Sequence, residues 1–328
     1  MTDAIAIEVR DLHKDFRPAV GLKALVTFKW RHQRFMALDG LDLDLAAGGI
    51  HAFVGPNGAG KTTVLKMLSG LLNPSGGEAR VLGFVPWERK AELKRQFSLL
   101  LGQKNSLWWD LPARESLELN RAIYGIDRKD FNRIVGGLSE LLEVGDKLNV
   151  MVRELSLGER MKMELIAALL HAPRVLFLDE PTIGLDVGSA KRVREFLKHY
   201  NADHQIVTML TSHYMQDIEE LCQRVIIIDH GRIIFDGPLT TIVDRFSTHK
   251  IVNFTFENAA ARDFTAFGEV TEQTPQTVLL KVPRAGVPET CRAVLDRYKV
   301  TDITVQEIPI QEVIRRMFAE AESAPARE

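Results

Sequence analysis

The 328-residue chain lacks several things, and each lack excludes a class of protein. Its two cysteines, Cys222 and Cys291, lie far apart without CxxC or Cys/His metal spacing, which removes a disulfide framework or a zinc site and leaves reduced core thiols as the simplest account. Charge of neither sign dominates: 42 basic residues stand against 44 acidic ones, so nothing pulls the whole chain toward nucleic acid or acidic lipid, and such binding would need a local patch. Apolar runs such as Val225 to Ile228 fall far short of the roughly 20 residues that span a bilayer. Met1 to Arg10 alternates like a strand and has no signal-peptide apolar core. No internal repeat is present. These lacks predict a cytoplasmic chain, with any membrane spanning left to another polypeptide.

What the chain does carry is Gly55-Pro56-Asn57-Gly58-Ala59-Gly60-Lys61-Thr62, set between the apolar run Ile50 to Val54 and the helical pattern Thr63 to Leu72. Strand, glycine loop and helix in that order fit GxxxxGK[ST], whose glycines let successive backbone N–H groups converge on phosphate oxygens with no Cβ in the way. Lys61 then supplies positive charge toward the outer phosphates, Thr62 offers a hydroxyl to Mg²⁺, and the helix N-terminus adds donors and dipole. A nucleoside-triphosphate site is expected here.

Around this loop the pattern is that of an α/β protein. Ile5 to Val9 reads as a strand, and Asp11 to Phe16 as a turn running into a second extended piece whose aromatic could stack on a purine. Residues 17–35 look like an insertion with five Lys/Arg and no acid; Leu22, Val26 and Trp30 at i, i+4, i+8 make a short basic amphipathic helix. That helix is either a solvated basic face or a segment that touches lipid headgroups or a membrane partner. Leu41 to Leu45 alternates as a half-buried strand, and Glu78 to Leu82 is another. From about 104 to 172 the composition is helical, with a helix carrying Leu117, Leu119, Ile123 and Tyr124, one amphipathic stripe of Leu138, Leu141, Leu142 and Val144, and another of Met161, Leu165, Ile166, Leu169 and Leu170. Strands Val175 to Leu178, Ile206 to Leu210 and Val225 to Ile228 alternate with helices, which implies a doubly wound parallel sheet with ligands at the carboxyl ends of its strands. After Gly237-Pro238 a helix, Leu239 to Phe246, leads to a different pattern of short strands, a helix Glu289 to Tyr298 and a last helix Ile310 to Phe318, a small α+β module of about 70 to 80 residues.

Three further clusters narrow the chemistry. Asp179 and Glu180 end a buried strand, where Asp179 can hold Mg²⁺ through water and Glu180 can polarise an attacking water; two such acids in an apolar setting call for a cation. Ser156 with Glu159 three residues on is a capping box, and the same helix N-terminus can also offer donors to a phosphate held by a second subunit. Thr211-Ser212-His213 ends a strand on the same sheet edge.

Taken together, GPNGAGKT, Gln103, LSLGER, LFLDEPTIGLD and Ser212-His213 stand in the order and spacing of an ATP-binding cassette (ABC) ATPase, which the chain resembles over about Ile5 to Gly237. The resemblance implies a P-loop NTPase core with a helical subdomain, here residues 1–238, followed by a linker helix and accessory domain over 239–328. It also implies roles: Gly55 to Thr63 (Gly55, Pro56, Asn57, Gly58, Ala59, Gly60, Lys61, Thr62 and Thr63) cradle ATP; Thr62, Gln103 and Asp179 serve Mg²⁺; Glu180 is the catalytic base; and His213 senses the γ-phosphate. Across a head-to-tail homodimer, Ser156 and Gly158 would bind the opposing γ-phosphate and Asp186 would connect the two sites. The whole chain is similar to bacterial exporter ATPase subunits of the drug-resistance and lipid or polysaccharide type. That implies a separately encoded permease, a peripheral place on the cytoplasmic face of the plasma membrane, and no nucleic-acid partner. The alternative class, a soluble ABC ATPase remodelling nucleic acid or ribosomes, commonly fuses two cassettes or inserts a long coiled coil, and this chain has neither.

Two departures from the family pattern matter. Leu157 and Glu159 replace the usual Gly and Gln of the signature; Leu157 keeps its N–H, whereas Glu159 must point away from a γ-phosphate. The adenine-stacking aromatic, normally shortly before a pair like Ala37-Leu38, is displaced by the insertion, and Phe16 fits the strand context better than Phe35. Trp108-Trp109-Asp110-Leu111-Pro112 occupies the stretch that in the family receives the permease's coupling helix, and its tryptophans either pack the helical subdomain or anchor that contact.

Overall fold

The computed structural model describes residues 5–16, 35–102, 105–246, 248–257 and 263–323, so the basic insertion up to residue 34 and Gln103 lie outside the described residues. The chain divides into two compact units, Met1–Asp236 and Gly237–Glu328.

In the first unit the β-branched apolar runs form a six-stranded sheet in the order β5-β6-β7-β3-β8-β9. Its members are β3 (Ile50–Val54), β5 (Phe97–Leu101), β6 (Val175–Asp179), β7 (Val207–Thr211), β8 (Arg224–Asp229) and β9 (Arg232–Pro238). Strands β5 through β8, with β3 between β7 and β8, run parallel, as alternating strands and helices require. A second sheet, antiparallel and ordered β2-β1-β4, is built from β1 (Ile5–Phe16), β2 (Phe35–Ala46) and β4 (Gly76–Val81). Here the turn expected at Asp11 is absent. Strand β1 runs on to Phe16 and absorbs Asp11, at φ +47°, as a register shift against β2.

Helix α1 (Lys61–Leu68) follows the glycine loop, and its Val64, Leu65, Met67 and Leu68 share one core with Ile7, Val9 and Leu41 of the antiparallel sheet and Phe53, Phe177 and Ile226 of the parallel one. Each such side chain contributes roughly 1.5–3 kcal/mol on burial, so the loop is hung on the most heavily packed part of the molecule. The helical region comprises α2 (Ala113–Tyr124), α3 (Arg128–Leu141) and α4 (Leu157–Leu169). The stripe on α4 is buried throughout, but Leu119, Ile123 (71 % exposed) and Leu141 face solvent, so the apolar faces of α2 and α3 are narrower than the spacing predicts. Helices α5 (Val187–His204) and α6 (Met215–Leu221) follow β6 and β7. Among the described residues no helix is long and apolar enough to cross a membrane. Cys222 is buried and Cys291 half-buried, both as free thiols, and burial pushes the Cys222 thiol up.

The second unit holds α7 (Leu239–Phe246) and a four-stranded antiparallel sheet ordered β11-β12-β10-β13, with β10 (His249–Phe256), β11 (Glu269–Gln273), β12 (Thr277–Pro283) and β13 (Val300–Glu307). Its core sets Val252, Phe254, Val278 and Leu280 against Val294 of α8 (Val287–Arg297), and α9 (Ile310–Ser323) closes the unit. Strand β11 is invisible to patterning, since Glu-Val-Thr-Glu-Gln is an exposed edge with one apolar residue.

Candidate functional site

The glycine loop leaves β3 at Gly55 and enters α1 at Lys61. Gly60 has φ +110°, and a Cβ there would stand 2.7 Å from the carbonyl oxygen of Ala37, so only glycine fits. Pro56, Asn57 and Gly58 form the exposed tip, while Ala59 is buried under it. No side chain caps the start of α1, which leaves its first N–H groups as donors facing the loop. Lys61 is buried, and its Nζ donates to the carbonyls of Gly55 (2.7 Å) and Pro56 (2.9 Å). Burial pushes the Lys61 ammonium below its ordinary range, while Glu180 and Asp179 pull it back. Thr62 and Thr63 lie half-buried in the first turn.

At the end of β6, beside this loop, Asp179 accepts hydrogen bonds from the Thr62 hydroxyl (3.0 Å) and the Thr211 hydroxyl (2.6 Å). A carboxylate and a hydroxyl side by side are the hard oxygen donors that Mg²⁺ takes along with phosphate oxygens, so the residues present fit that ion. Glu180 holds φ +55°, uncommon for a non-glycine residue, with its N–H donating to the Thr211 carbonyl (3.0 Å) and lying 3.1 Å from that residue's hydroxyl oxygen. Its carboxylate meets His213 Nε2 at 2.6 Å. Thr211, to which the sequence assigns no role beyond ending its strand, thus lies against both acids. Its one signal is its place next to Ser212-His213. Gly102 N–H donates to the Asp179 carbonyl (2.8 Å), tying the segment that leads to Gln103 to the acid pair.

The second cluster lies where α4 and α5 begin. Ser156 caps α4, its hydroxyl accepting from Glu159 N–H (3.2 Å) while Glu159 accepts from Ser156 N–H (2.9 Å). The capping box therefore turns Glu159 back onto its own helix, where Lys147 stands 3.4 Å away, and the Ser156 N–H, with its hydroxyl, holds the Glu159 carboxyl below its usual range. A Cβ on Gly158 would meet Ser189 Oγ at 2.6 Å, so the two helix ends touch at a glycine. Asp186 caps α5, accepting from Ser189 N–H (2.9 Å), and Ser189 holds its carboxyl low. Ser156, Gly158 and Asp186 are thus brought together, while among the described residues no hydrogen bond joins Ser156 or Gly158 to Lys61, Thr62 or Glu180.

Phe16 and Phe35 are cross-strand partners at the end of the β1–β2 pair, both exposed and on one face of the sheet, and Lys14 Nζ sits 5.3 Å from the Phe16 ring. The tryptophans do not fill the helical subdomain: Trp108 is 61 % and Trp109 46 % exposed. The Arg160 guanidinium stacks 5.0 Å from the Trp109 ring. One turn along α4, buried Glu164 accepts from the N–H groups of Ser106 (2.9 Å) and Leu107 (3.2 Å) and from the Ser106 hydroxyl, clamping the loop that carries both rings. Burial pushes its carboxyl up, against those donors. Beside it opens a cleft of about 730 Å³ lined by Leu71, Arg89, Phe97, Asn105 and Tyr124 among others.

The sequence profile of the ABC transporter family matches residues 38–183, and that of the EvrA-like ABC transporter C-terminal domain matches residues 248–306. The chain is 33 % identical over 208 residues to the ABC transporter ATP-binding protein NatA of Bacillus subtilis, covering 63 % of this chain and 84 % of that protein. It is 33 % identical over 275 residues to the Nod factor export ATP-binding protein I of Burkholderia lata, covering 82 % of this chain and 89 % of that one. Among solved structures, the dimeric post-hydrolysis state of the ATP-binding cassette MJ0796, bound to ADP and Pi, matches with a TM-score of 0.61 at 19 % identity over 71 % of this chain and 98 % of that chain.

Proposed function

The chain belongs to the ABC transporter family as an ATP-binding subunit, and from that premise we propose that Lys61, Thr62, Asp179, Glu180 and His213 hydrolyse ATP to power export through a separate permease. The observation that carries the reading is the Glu180–His213 contact of 2.6 Å set beside the Asp179–Thr62 contact of 3.0 Å at the mouth of the glycine loop. Lys61 and the N–H groups of the loop and α1 bind the phosphates and stabilise the charge that gathers on them. Thr62 and Asp179 would hold Mg²⁺, with Gln103 as a third ligand, and the ion when bound would supply neutralisation of phosphate charge. Glu180 takes a proton from the attacking water as its oxygen bonds to the γ-phosphorus; the bond to the β-phosphate oxygen breaks, releasing ADP and phosphate, with His213 orienting the carboxylate and reading the γ-phosphate. Phe16, backed by Phe35 across the strand pair, offers a face to adenine.

Two chains then face each other head to tail, so that Ser156 and Gly158 of one donate to the γ-phosphate on the other, with Asp186 linking the two sites. The Glu159 capping box leaves the Ser156 hydroxyl proton and the Gly158 N–H for this contact, while the Glu159 carboxylate occupies the Ser156 N–H. The nucleotide machinery occupies residues 1–238 and residues 239–328 are an accessory domain. Phosphate release from Mg-ATP tests both parts: the full chain and one ending at Pro238 should both hydrolyse, with nucleotide affinities within about tenfold of each other, since every phosphate-facing residue precedes the second unit. A truncated chain that folds but has lost binding by more than that would place part of the site in the second unit.

The permease contact falls on Trp108 and Trp109, on the cytoplasmic face of the plasma membrane. Exposed large aromatics braced by Arg160 and Glu164 are what an interface anchor requires. Alanine at both positions should cost the isolated chain about 1 kcal/mol or less, the worth of an exposed cation–π pair. The same change should uncouple transport or weaken association with the permease. A thermal-unfolding loss in the range of about 3 to 5 kcal/mol, that of a buried Trp, would assign the rings to the core instead.

A further inference from the structure

We propose that Asp217 is the positioning residue of the catalytic pair: one buried carboxylate grips the turn that carries Glu180 and the turn that carries His213, and so sets the approach of one to the other. The inference rests on the reading of Glu180 as the base.

Asp217 lies in α6 and its side chain has no exposure, while that of Arg194 in α5 is 4 % exposed. Its Oδ2 accepts from the Thr182 hydroxyl at 2.5 Å and the Ser212 hydroxyl at 2.6 Å, and its Oδ1 accepts from Arg194 Nη1 at 3.1 Å. Both carboxylate oxygens are thereby engaged, as a buried charge demands. Thr182 sits in the tight turn after β6, which closes through Ile183 N–H on the Glu180 carbonyl (3.2 Å) and Leu185 N–H on the Thr182 carbonyl (3.2 Å). Ser212 immediately precedes His213, and its hydroxyl oxygen also accepts from Tyr214 N–H (3.0 Å). The two turns have no covalent reason to keep a fixed separation. Beyond the bonds of Glu180 to Thr211 and His213, what they share is one acceptor atom.

Glu180 needs such a hold. A non-glycine residue at φ +55° persists only where its surroundings over-determine it. Thr211 fixes Glu180 from the strand side, through its carbonyl and hydroxyl, and does not reach the far side of the turn, which carries Thr182. Asp217 closes that far side through Thr182. Arg194 adds a third element, since it stands on the helix that Asp186 caps and its Nε is held by Glu220 at 2.8 Å. A shift of about 1 Å in a catalytic group can cost on the order of 10²-fold in rate, so a clamp that spans both turns controls the rate without touching nucleotide.

The test uses the full chain and separates positioning from folding. Thr182→Val deletes the hydroxyl at nearly constant volume, and Thr182→Ser keeps it. Thr182→Val should lower kcat for Mg-ATP at least about tenfold with KM unchanged, and Thr182→Ser should restore kcat; Ser212→Ala should behave as Thr182→Val does. Because such a protein binds ATP but cleaves it slowly, it should also accumulate a dimer in light scattering on addition of Mg-ATP, which a merely loosened fold would not. In a Glu180→Gln background Thr182→Val should lower hydrolysis no further, since the group it positions is already gone. Wild-type kcat in Thr182→Val, a kcat loss that serine does not restore, or a further loss in the double variant would each overturn the proposal. If Glu180→Gln itself hydrolyses at the wild-type rate, the base assignment has failed; an active Thr182→Val beside an inactive Glu180→Gln is the failure of this inference alone.

Discussion

Glu180→Gln should reduce phosphate release by roughly 10²-fold or more, the usual scale for losing a general base, while Mg-ATP still binds. Glutamine has the same reach and can keep the contact with His213, and it adopts the same backbone, but its amide cannot take a proton from water. Lys61, Thr62 and Asp179 are untouched, and the contacts that fix Asp179 come from Thr62 and Thr211. Binding and cleavage are thus separated by one atom type. The uncleaved nucleotide should then hold two chains together, so the variant should pass from monomer to dimer on adding Mg-ATP. Ser156→Arg in the same background should abolish that passage, by setting bulk where the opposing γ-phosphate would sit. Arginine also removes the cap of α4, worth about 1 kcal/mol, so thermal unfolding must be read alongside to show that the monomer is intact. Size-exclusion chromatography with light scattering decides the matter. A Glu180→Gln chain that binds ATP, stays monomeric and hydrolyses near the wild-type rate would overturn both the base assignment and the head-to-tail site.

The parts of this site that can be read from sequence are those whose chemistry is local. The glycine loop, the acids at the end of β6 and the capping box are set by neighbours within a few residues, and strongly apolar strands such as Val175–Asp179 announce themselves by composition. Contacts made across the fold are not legible. Nothing near Thr211 in the chain says that its hydroxyl will touch Asp179, and nothing near Glu164 says that it will hold Ser106 and Leu107. The Phe16 and Phe35 alternatives have the same origin. In sequence they are rivals separated by the insertion, but an antiparallel return sets them opposite one another, so choosing between them from spacing asks a question that strand pairing removes. Strand β1 differs from expectation because turn residues at Asp11 are accommodated as a register shift when two partner strands hold the chain extended. The capping box is likewise local: the hydrogen bonds that stabilise α4 hold the Glu159 carboxylate on the Ser156 N–H at the start of that helix.

Lys61→Met should do the opposite of Glu180→Gln: it should weaken nucleotide binding by about 10²-fold or more and leave the empty chain folded. Methionine retains the buried stem and removes an ammonium that burial already disfavours, and whose hydrogen bonds go to the carbonyls of Gly55 and Pro56. The Pro56 carbonyl lies at the exposed tip and the buried Gly55 carbonyl loses one donor, so the isolated chain should change by at most about 1–3 kcal/mol. With ATP the balance reverses, because the ammonium is the one mobile positive charge that the loop can direct at the outer phosphates. Charge-assisted hydrogen bonds are worth about 1.5–3 kcal/mol each, so losing two of them should weaken binding by about 10²-fold or more. The contrast is measurable as a ligand-induced shift in unfolding. At ATP equal to about 100 times the wild-type dissociation constant, the wild-type chain should gain about 2.7 kcal/mol, and a variant binding a hundredfold more weakly only about 0.4 kcal/mol. Glu180→Gln should keep the full gain under the same conditions. If Lys61→Met retains that gain, the ammonium does not contact the triphosphate; if it unfolds without nucleotide, the charge is needed by the fold and not by the ligand.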